Sequence, residues 1–300
     1  MMYQRIIQAV TNSPWAIVPS KLETLLEVLS IRASSGHISD DDIKAAVGSA
    51  TQRTVPSSGA IQVLQLYGII AQRMGLMAES SGGTSTERFG QEFRQAVNNP
   101  QVSAIVVDVE SPGGSVYGIP ELAGEMFKAR GTKPIVAVAN SMAASAAYWL
   151  ATAADEVVVT PSGEVGSIGV FAAHHDLSQY YEREGVKTTL IAAGKFKTEA
   201  NPYEPLTEEA MAAIQESVDD YYQEFVSAVA RHRGVGVSDV RGGFGEGRVV
   251  TAKRALKLGM VDRIDTLEGT INRLSKSLAD TDRRRRRARL NETLMRSHTL

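Results

Sequence analysis

The residues best suited to chemistry are a serine, a pair of glycines and a lysine, each placed at the end of a strand-like run. Ser145 stands in Ala139-Asn-Ser-Met-Ala-Ala-Ser145-Ala-Ala-Tyr-Trp-Leu-Ala151, directly after the apolar run Pro134–Val138. The alanine-rich part predicts a helix, so the serine falls at a strand-to-helix turn among small residues that let backbone and substrate approach closely. A helix start there favours developing negative charge. A serine packed in a core helix and bonded back to a carbonyl fits this stretch as well. Two further stretches favour nucleophilic catalysis. The β-branched run Ala104–Val109 ends in Glu110-Ser-Pro-Gly113-Gly114-Ser115. Paired glycines free backbone N–H groups to point at a ligand, the layout of an oxyanion hole. The third stretch, Gly194-Lys195-Phe-Lys197-Thr-Glu-Ala-Asn201-Pro202-Tyr203, follows the strand-like Lys187–Ala192. A serine hydroxyl is a weak nucleophile until a base takes its proton, and a lysine can do so only if burial lowers its pKa from about 10.4 toward neutrality.

Together with Gly166-Ser167-Ile168-Gly169-Val170, these stretches resemble the signal-peptide-peptidase-A family of Ser-Lys peptidases, and within it the tailed-phage capsid maturation (prohead) proteases. The resemblance runs from about Ala60 to Leu274 with the motifs in the family's order. It implies Ser145 as nucleophile and Lys197 as base. Lys195 matches less well, because the family's base sits immediately before a short polar run leading to a proline, as Lys197 does. Ser167 falls where relatives place a hydroxyl that orients the lysine. The oxyanion would be held by the N–H of Ala146 together with that of Gly113 or Gly114. His174 and His175 follow Ser145 in the same sense as the histidine of the related Clp protease, so they stand as the alternative base, with Asp176 or another acid to orient them. Ser167 and Lys197 also admit plain readings, as a turn residue and a loop lysine.

The implied fold is α/β: a Clp/crotonase-like spiral of repeated strand-strand-helix units with a mostly parallel sheet, preceded by an N-terminal helical appendage. The implied activity is ATP-independent serine endopeptidase, cleaving scaffold and capsid proteins in phage head maturation as a homo-oligomer, in the host cytoplasm or the prohead. Three alternatives share the fold: a cytoplasmic peptidase of the same family without a phage role, a crotonase-like acyl-CoA enzyme, and a non-enzymatic component that only assembles.

The bulk composition bounds these readings. The 300 residues are 43% hydrophobic and 22% charged, as in globular proteins. A net charge of −2 argues against a general nucleic-acid binder. With no cysteine there is no disulfide, thiolate or Cys–zinc chemistry, which suits a reducing compartment. No metal-ligand constellation is spaced for an ion, because adjacent His174 and His175 would not both face one, and no cofactor is expected. No apolar run reaches membrane length, and the N-terminus lacks a basic-then-apolar signal pattern, so the chain is expected to be neither membrane-anchored nor secreted.

Three segments are expected: residues 1–55 as helical appendage and linker, 56–279 as peptidase domain, and 280–300 as a basic, disordered tail. In the first, Tyr3–Val10, Lys21–Arg32 and a stretch after Ser39 read as helices, and 49–60 as a linker. In the second, strand-like runs at Ile61–Tyr67, Ala104–Val109, Ile135–Val138, Glu156–Thr160, Ile168–Phe171 and Thr188–Ala192 alternate with helices at Thr86–Val97, Pro120–Arg130, Leu177–Glu184 and Leu206–His232. That alternation is the pattern of a parallel sheet with crossover helices. Arg248–Asp262 resembles the family's helix-and-strand return, and Leu267–Leu278 reads as a last helix. The Arg283–Arg289 run is read as solvated, with contact to nucleic acid or an acidic scaffold as its alternative.

Overall fold

The computed structural model describes residues 14–35, 60–73 and 83–297. Its centre is a parallel sheet of β2 (Ile61–Ala71), β4 (Ala104–Ser115), β5 (Ile135–Ala144) and β6 (Glu156–Val159), with β3 (Thr84–Ser85) on one edge and β9 (Arg263–Ile264) on the other. Parallel strands are covered on both faces and so read as continuous apolar runs. The two-residue alternation then divides β4 between two cores. Ile105, Val107 and Val109 face one core with Phe89 and Phe93 of α2 (Thr86–Asn98), Met126 of α3 (Ile119–Lys128) and Phe225 of α6 (Glu208–Arg233). Ala104 and Val106 face the other, with Val136, Val138, Val158 and Leu274. Leu274 belongs to α9 (Leu267–Ser297). The fold is thus α/β with a mostly parallel sheet, as the sequence implies.

Past Val109 the sheet changes course. The β4–β5 register shifts between Val109 and Ser111, and β5 leaves β6 to pair with β7 (Glu164–Gly166). β8 (Val249–Thr251) adds to β7 antiparallel, and β1 (Trp15–Ile17) adds to Gly113–Ser115 antiparallel. α4 (Ala146–Thr152) begins where β5 ends. The strand ends thus diverge beyond the carboxyl ends of the parallel strands, the usual location of a site in such sheets.

Three expectations do not hold. Thr188–Ala192 is not a strand: the stretch is exposed and has no neighbouring strand to complete a ladder. Ile168–Phe171 is irregular apart from one bridge, Phe171 to Trp15. The Arg283–Arg289 run is helical, continuing α9, with Arg283 paired to Asp280 and Arg286 to Asp282 one helical turn away. Those spacings supply helix support that composition alone does not display. α1 (Pro19–Ser35) and α5 (Ser178–Arg183) occupy the expected positions, whereas the helices at Tyr3–Val10 and after Ser39 and nearly all of the linker lie outside the described residues.

Candidate active site

Ser145 occupies the single residue between β5 and α4. Its backbone has φ 55° and ψ −120°, a region L-residues seldom adopt and that costs on the order of 1–3 kcal/mol. The surroundings fix that conformation. The Ser145 N–H donates to Gly166 O at 2.7 Å, and its carbonyl accepts from Trp149 N–H at 3.0 Å. Every residue of α4 is buried, Trp149 stacks on Phe225 at 4.5 Å, and the Tyr148 hydroxyl donates to Met260 O at 2.8 Å. Only small residues fit so close a junction, which is why alanines surround the serine. The hydroxyl, 1% exposed as a residue, makes one long contact to Gly169 O at 3.4 Å and is otherwise uncommitted among the described residues. It is not a serine inside a core helix.

Gly113 lies against it. A Cβ at Gly113, where φ is 102°, would sit 3.0 Å from Ser145 Cβ and 2.2 Å from Ala16 O. A Cβ at Gly114 would sit 1.8 Å from Ile70 O. Neither position admits a side chain without moving backbone. Ser111 organises the turn: its hydroxyl donates to Gly68 O at 2.6 Å and accepts from Gly113 N–H at 3.1 Å. That leaves the two glycines unequal: the Gly113 N–H is engaged within its own turn, whereas Gly114 is paired with Ala16 of the separate strand β1.

Ser167 follows Gly166, whose carbonyl holds Ser145. It has φ 54°, is buried, and donates its N–H to Arg248 O at 2.8 Å. Ser145, Ala146, Gly113, Gly114 and Ser167 are therefore gathered at one set of strand ends. Lys197 is not among them. It is exposed, its N–H bonds Gly194 O at 3.2 Å, and its ammonium makes no hydrogen bond to Ser145 or Ser167. Lys195 pairs with Glu209 at 2.8 Å and lies over the Phe196 ring. His174 Nε2 lies 3.1 Å from Asn201 O, tying it to the turn after Lys197 rather than to Ser145, and His175 is exposed.

Sequence reasoning missed two participants. Ser111 lies inside the double-glycine stretch, and nothing in its spacing marks it as the turn's organiser. Trp15–Ile17 could have been found: Pro14-Trp-Ala-Ile-Val-Pro19 is an apolar run bounded by prolines, a short-strand signal.

Comparison with known proteins shows the family to which the chain belongs. A model of Peptidase family S49 matches residues 128–281, which include Ser145, Ser167, His174 and Lys197. Capsid assembly protease C of Escherichia phage lambda is 32% identical over 241 residues, covering 80% of this chain and 53% of that protein. Head-tail preconnector protein GP5 of Enterobacteria phage P21 is 30% identical over 243 residues, covering 81% and 48%. A putative signal peptide peptidase SppA of Enterococcus faecium is 29% identical over 227 residues, covering 75% and 66%. The chain spans about half the length of the two phage relatives.

Proposed function

Because the chain belongs to peptidase family S49, we propose that it is an ATP-independent serine endopeptidase with Ser145 as nucleophile. The observation that carries this reading is the strained, buried Ser145 turn packed directly against Gly113. Ser145 Oγ attacks the scissile carbonyl, and the carbonyl oxygen, now negative, is held by the N–H groups of Ala146 and Gly114. Gly114 is preferred to Gly113 because Ser111 already accepts the Gly113 N–H. Lys197 takes the serine proton and delivers it to the leaving amine. The Ser167 hydroxyl orients the lysine. Water then hydrolyses the acyl-enzyme by the reverse sequence of proton transfers.

Lys197 reaches Ser145 when the exposed stretch 186–197 folds back over these strand ends. A homo-oligomer gives that stretch a surface to pack on: Val186, Leu190 and Phe196 are exposed, and Ile191 is 96% exposed. The substrates are scaffold and capsid proteins in phage head maturation, and the site of action is the host cytoplasm or the prohead. The names and identities of the phage relatives support this choice. Among the described residues, no helix is long and apolar enough to cross a membrane.

Labelling the full chain with a serine-reactive fluorophosphonate and mapping the adduct by mass spectrometry tests the reading. The adduct is expected on Ser145. An adduct on another serine, or none, overturns it.

A further inference from the structure

β1 lies where a substrate strand would have to lie. On one edge it runs antiparallel to Gly113–Ser115, with Ala16 opposite Gly114. On the other edge Trp15 exchanges two backbone bonds with Phe171, at 2.8 and 3.0 Å. The flanking bonds, Val18 N–H to Pro112 O at 3.0 Å and Val116 N–H to Pro14 O at 3.4 Å, set the phase of the ladder. In that phase Ala16 and Gly114 are the closely bonded pair, in which an antiparallel ladder exchanges both hydrogen bonds. The Ala16 carbonyl is therefore turned toward the N–H assigned above to the oxyanion. It is also close to the nucleophile: Ala16 O and Ser145 Cβ both lie within 3.0 Å of the point a Gly113 Cβ would occupy.

An extended segment gripped through its backbone on both edges, with a carbonyl held between a serine and a glycine N–H, has the pose of a peptide awaiting cleavage. The segment is also anchored. Trp15 and Ile17 are buried with Leu22 and Leu25 of α1 against Ile69, and Phe171 packs on the cluster. Nothing in this arrangement serves the nucleophile, which is already positioned by Gly166, Trp149 and the α4 core.

We propose that Pro14–Val18 is a built-in pseudosubstrate. It fills the lane that an extended substrate peptide must enter, with Ala16 in the place of the residue that supplies the scissile carbonyl. Substrate proteins bind in the same antiparallel register once β1 has left. The inference rests on Ser145 being the nucleophile of a peptidase. Because β1 is part of the same chain, it competes at a high effective concentration, and release of the segment controls the onset of proteolysis.

A disulfide tests this directly, since the natural chain has no cysteine. Trp15 and Ser115 face each other in the register at the position between bonded pairs, where side chains come closest. The full chain carrying Trp15→Cys and Ser115→Cys is compared oxidised and reduced, with the single Trp15→Cys variant as control. The measurements are cleavage of a co-expressed scaffold protein and fluorophosphonate labelling of Ser145. With β1 locked, cleavage should fall by roughly tenfold or more and return on reduction, while the control ignores reductant. Equal cleavage by the oxidised and reduced forms overturns the pseudosubstrate. Absence of cleavage and of Ser145 labelling in the natural chain sinks the peptidase reading itself, and the pseudosubstrate with it. If the double variant does not fold, Ile17→Asp serves instead, since a buried charge expels β1. It should label at Ser145 faster than the natural chain, and slower labelling by a folded Ile17→Asp protein rejects the proposal.

Discussion

The half of the site that carries Ser145 and the stretch that carries Lys197 are built on opposite principles. Around Ser145 a positive φ is enforced by two backbone hydrogen bonds, a fully buried helix and glycines with no room for a Cβ. From 186 to 206 the chain has no helix or strand, and Ile191 is almost wholly exposed. Strain of a few kcal/mol survives only where the surroundings over-determine it, so the nucleophile must be part of the core. A base that joins through an exposed stretch without helix or strand carries no such burden. In the proposed mechanism the nucleophile and the oxyanion donors are made by folding alone, whereas the Ser145–Lys197 pair is completed by a later closure, with substrate or a neighbouring copy.

Substituting the two residues of the proposed dyad breaks the comparison most sharply. Ser145→Ala and Lys197→Ala should each reduce scaffold cleavage on the order of 10⁴-fold or more, since members of one catalytic unit fail together. Their stabilities should separate them. Lys197→Ala, on an exposed loop, should leave the unfolding free energy within about 0.5 kcal/mol. Lys197→Arg should not restore activity, because a guanidinium stays protonated. His174→Ala and His175→Ala should lose far less activity. A dead histidine variant beside a normal Lys197→Ala would reassign the base. Next in size is Gly114→Ala, whose Cβ would lie 1.8 Å from the Ile70 carbonyl. It should cost about 3 kcal/mol in denaturant unfolding, because only backbone can yield there.

The same division explains what the sequence made legible. The parallel core was readable because β-branched runs such as Ala104–Val109 and Val157–Val159 are buried on both faces, and burial writes itself into composition. Ser145, Gly113 and Gly114 were readable because a tight junction demands small residues at fixed positions. Lys187–Ala192 has the composition of a strand but no partner, and a partner is a property of the fold rather than of the run. The place of Trp15–Ile17 in the sheet depends on pairing with Gly113–Ser115, about a hundred residues away. No local pattern encodes that contact. The helical Arg283–Arg289 run was masked by its charge, although Asp280 and Asp282 stand at helical spacing from their arginines.

In the proposed mechanism Ser167 lies on the boundary between the two halves, fixed by folding yet useful only once the lysine arrives. Ser167→Ala should therefore lower kcat by about tenfold, the loss expected for one positioning hydrogen bond. Fluorophosphonate labelling of Ser145 in the absence of substrate should change less, because that step reports the folded half. Equal losses in both measurements would place Ser167 in the framework rather than beside the base.

The smallest effect is an acid sensitivity of the rigid half. His232 is buried beneath α4, with Nδ1 3.0 Å from the Thr152 hydroxyl and its ring stacked on Phe127 at 4.7 Å. Burial, and then the neighbouring charges of Arg231 and Arg130, lower its pKa to about 3. The Thr152 hydroxyl also contacts Trp149 O at 2.8 Å, so the histidine helps hold the helix that begins beside Ser145. Below a pH of about 6.5 the unfolded chain binds a proton that the folded chain refuses, so stability falls as pH falls from about 6.5 toward about 3. Asp262 adds a separate loss at lower pH. Burial opposes its ionisation, but Arg233 at 2.8 Å and the Val157 N–H at 2.7 Å hold its carboxyl below the usual range. Between pH values of about 7.5 and 5.5, where the histidine dominates this pair, the natural chain should lose roughly 1 kcal/mol in urea unfolding. His232→Gln should be less stable at neutral pH and should flatten the profile across that interval. A variant as acid-sensitive as the natural chain would show that His232 is not the group responsible.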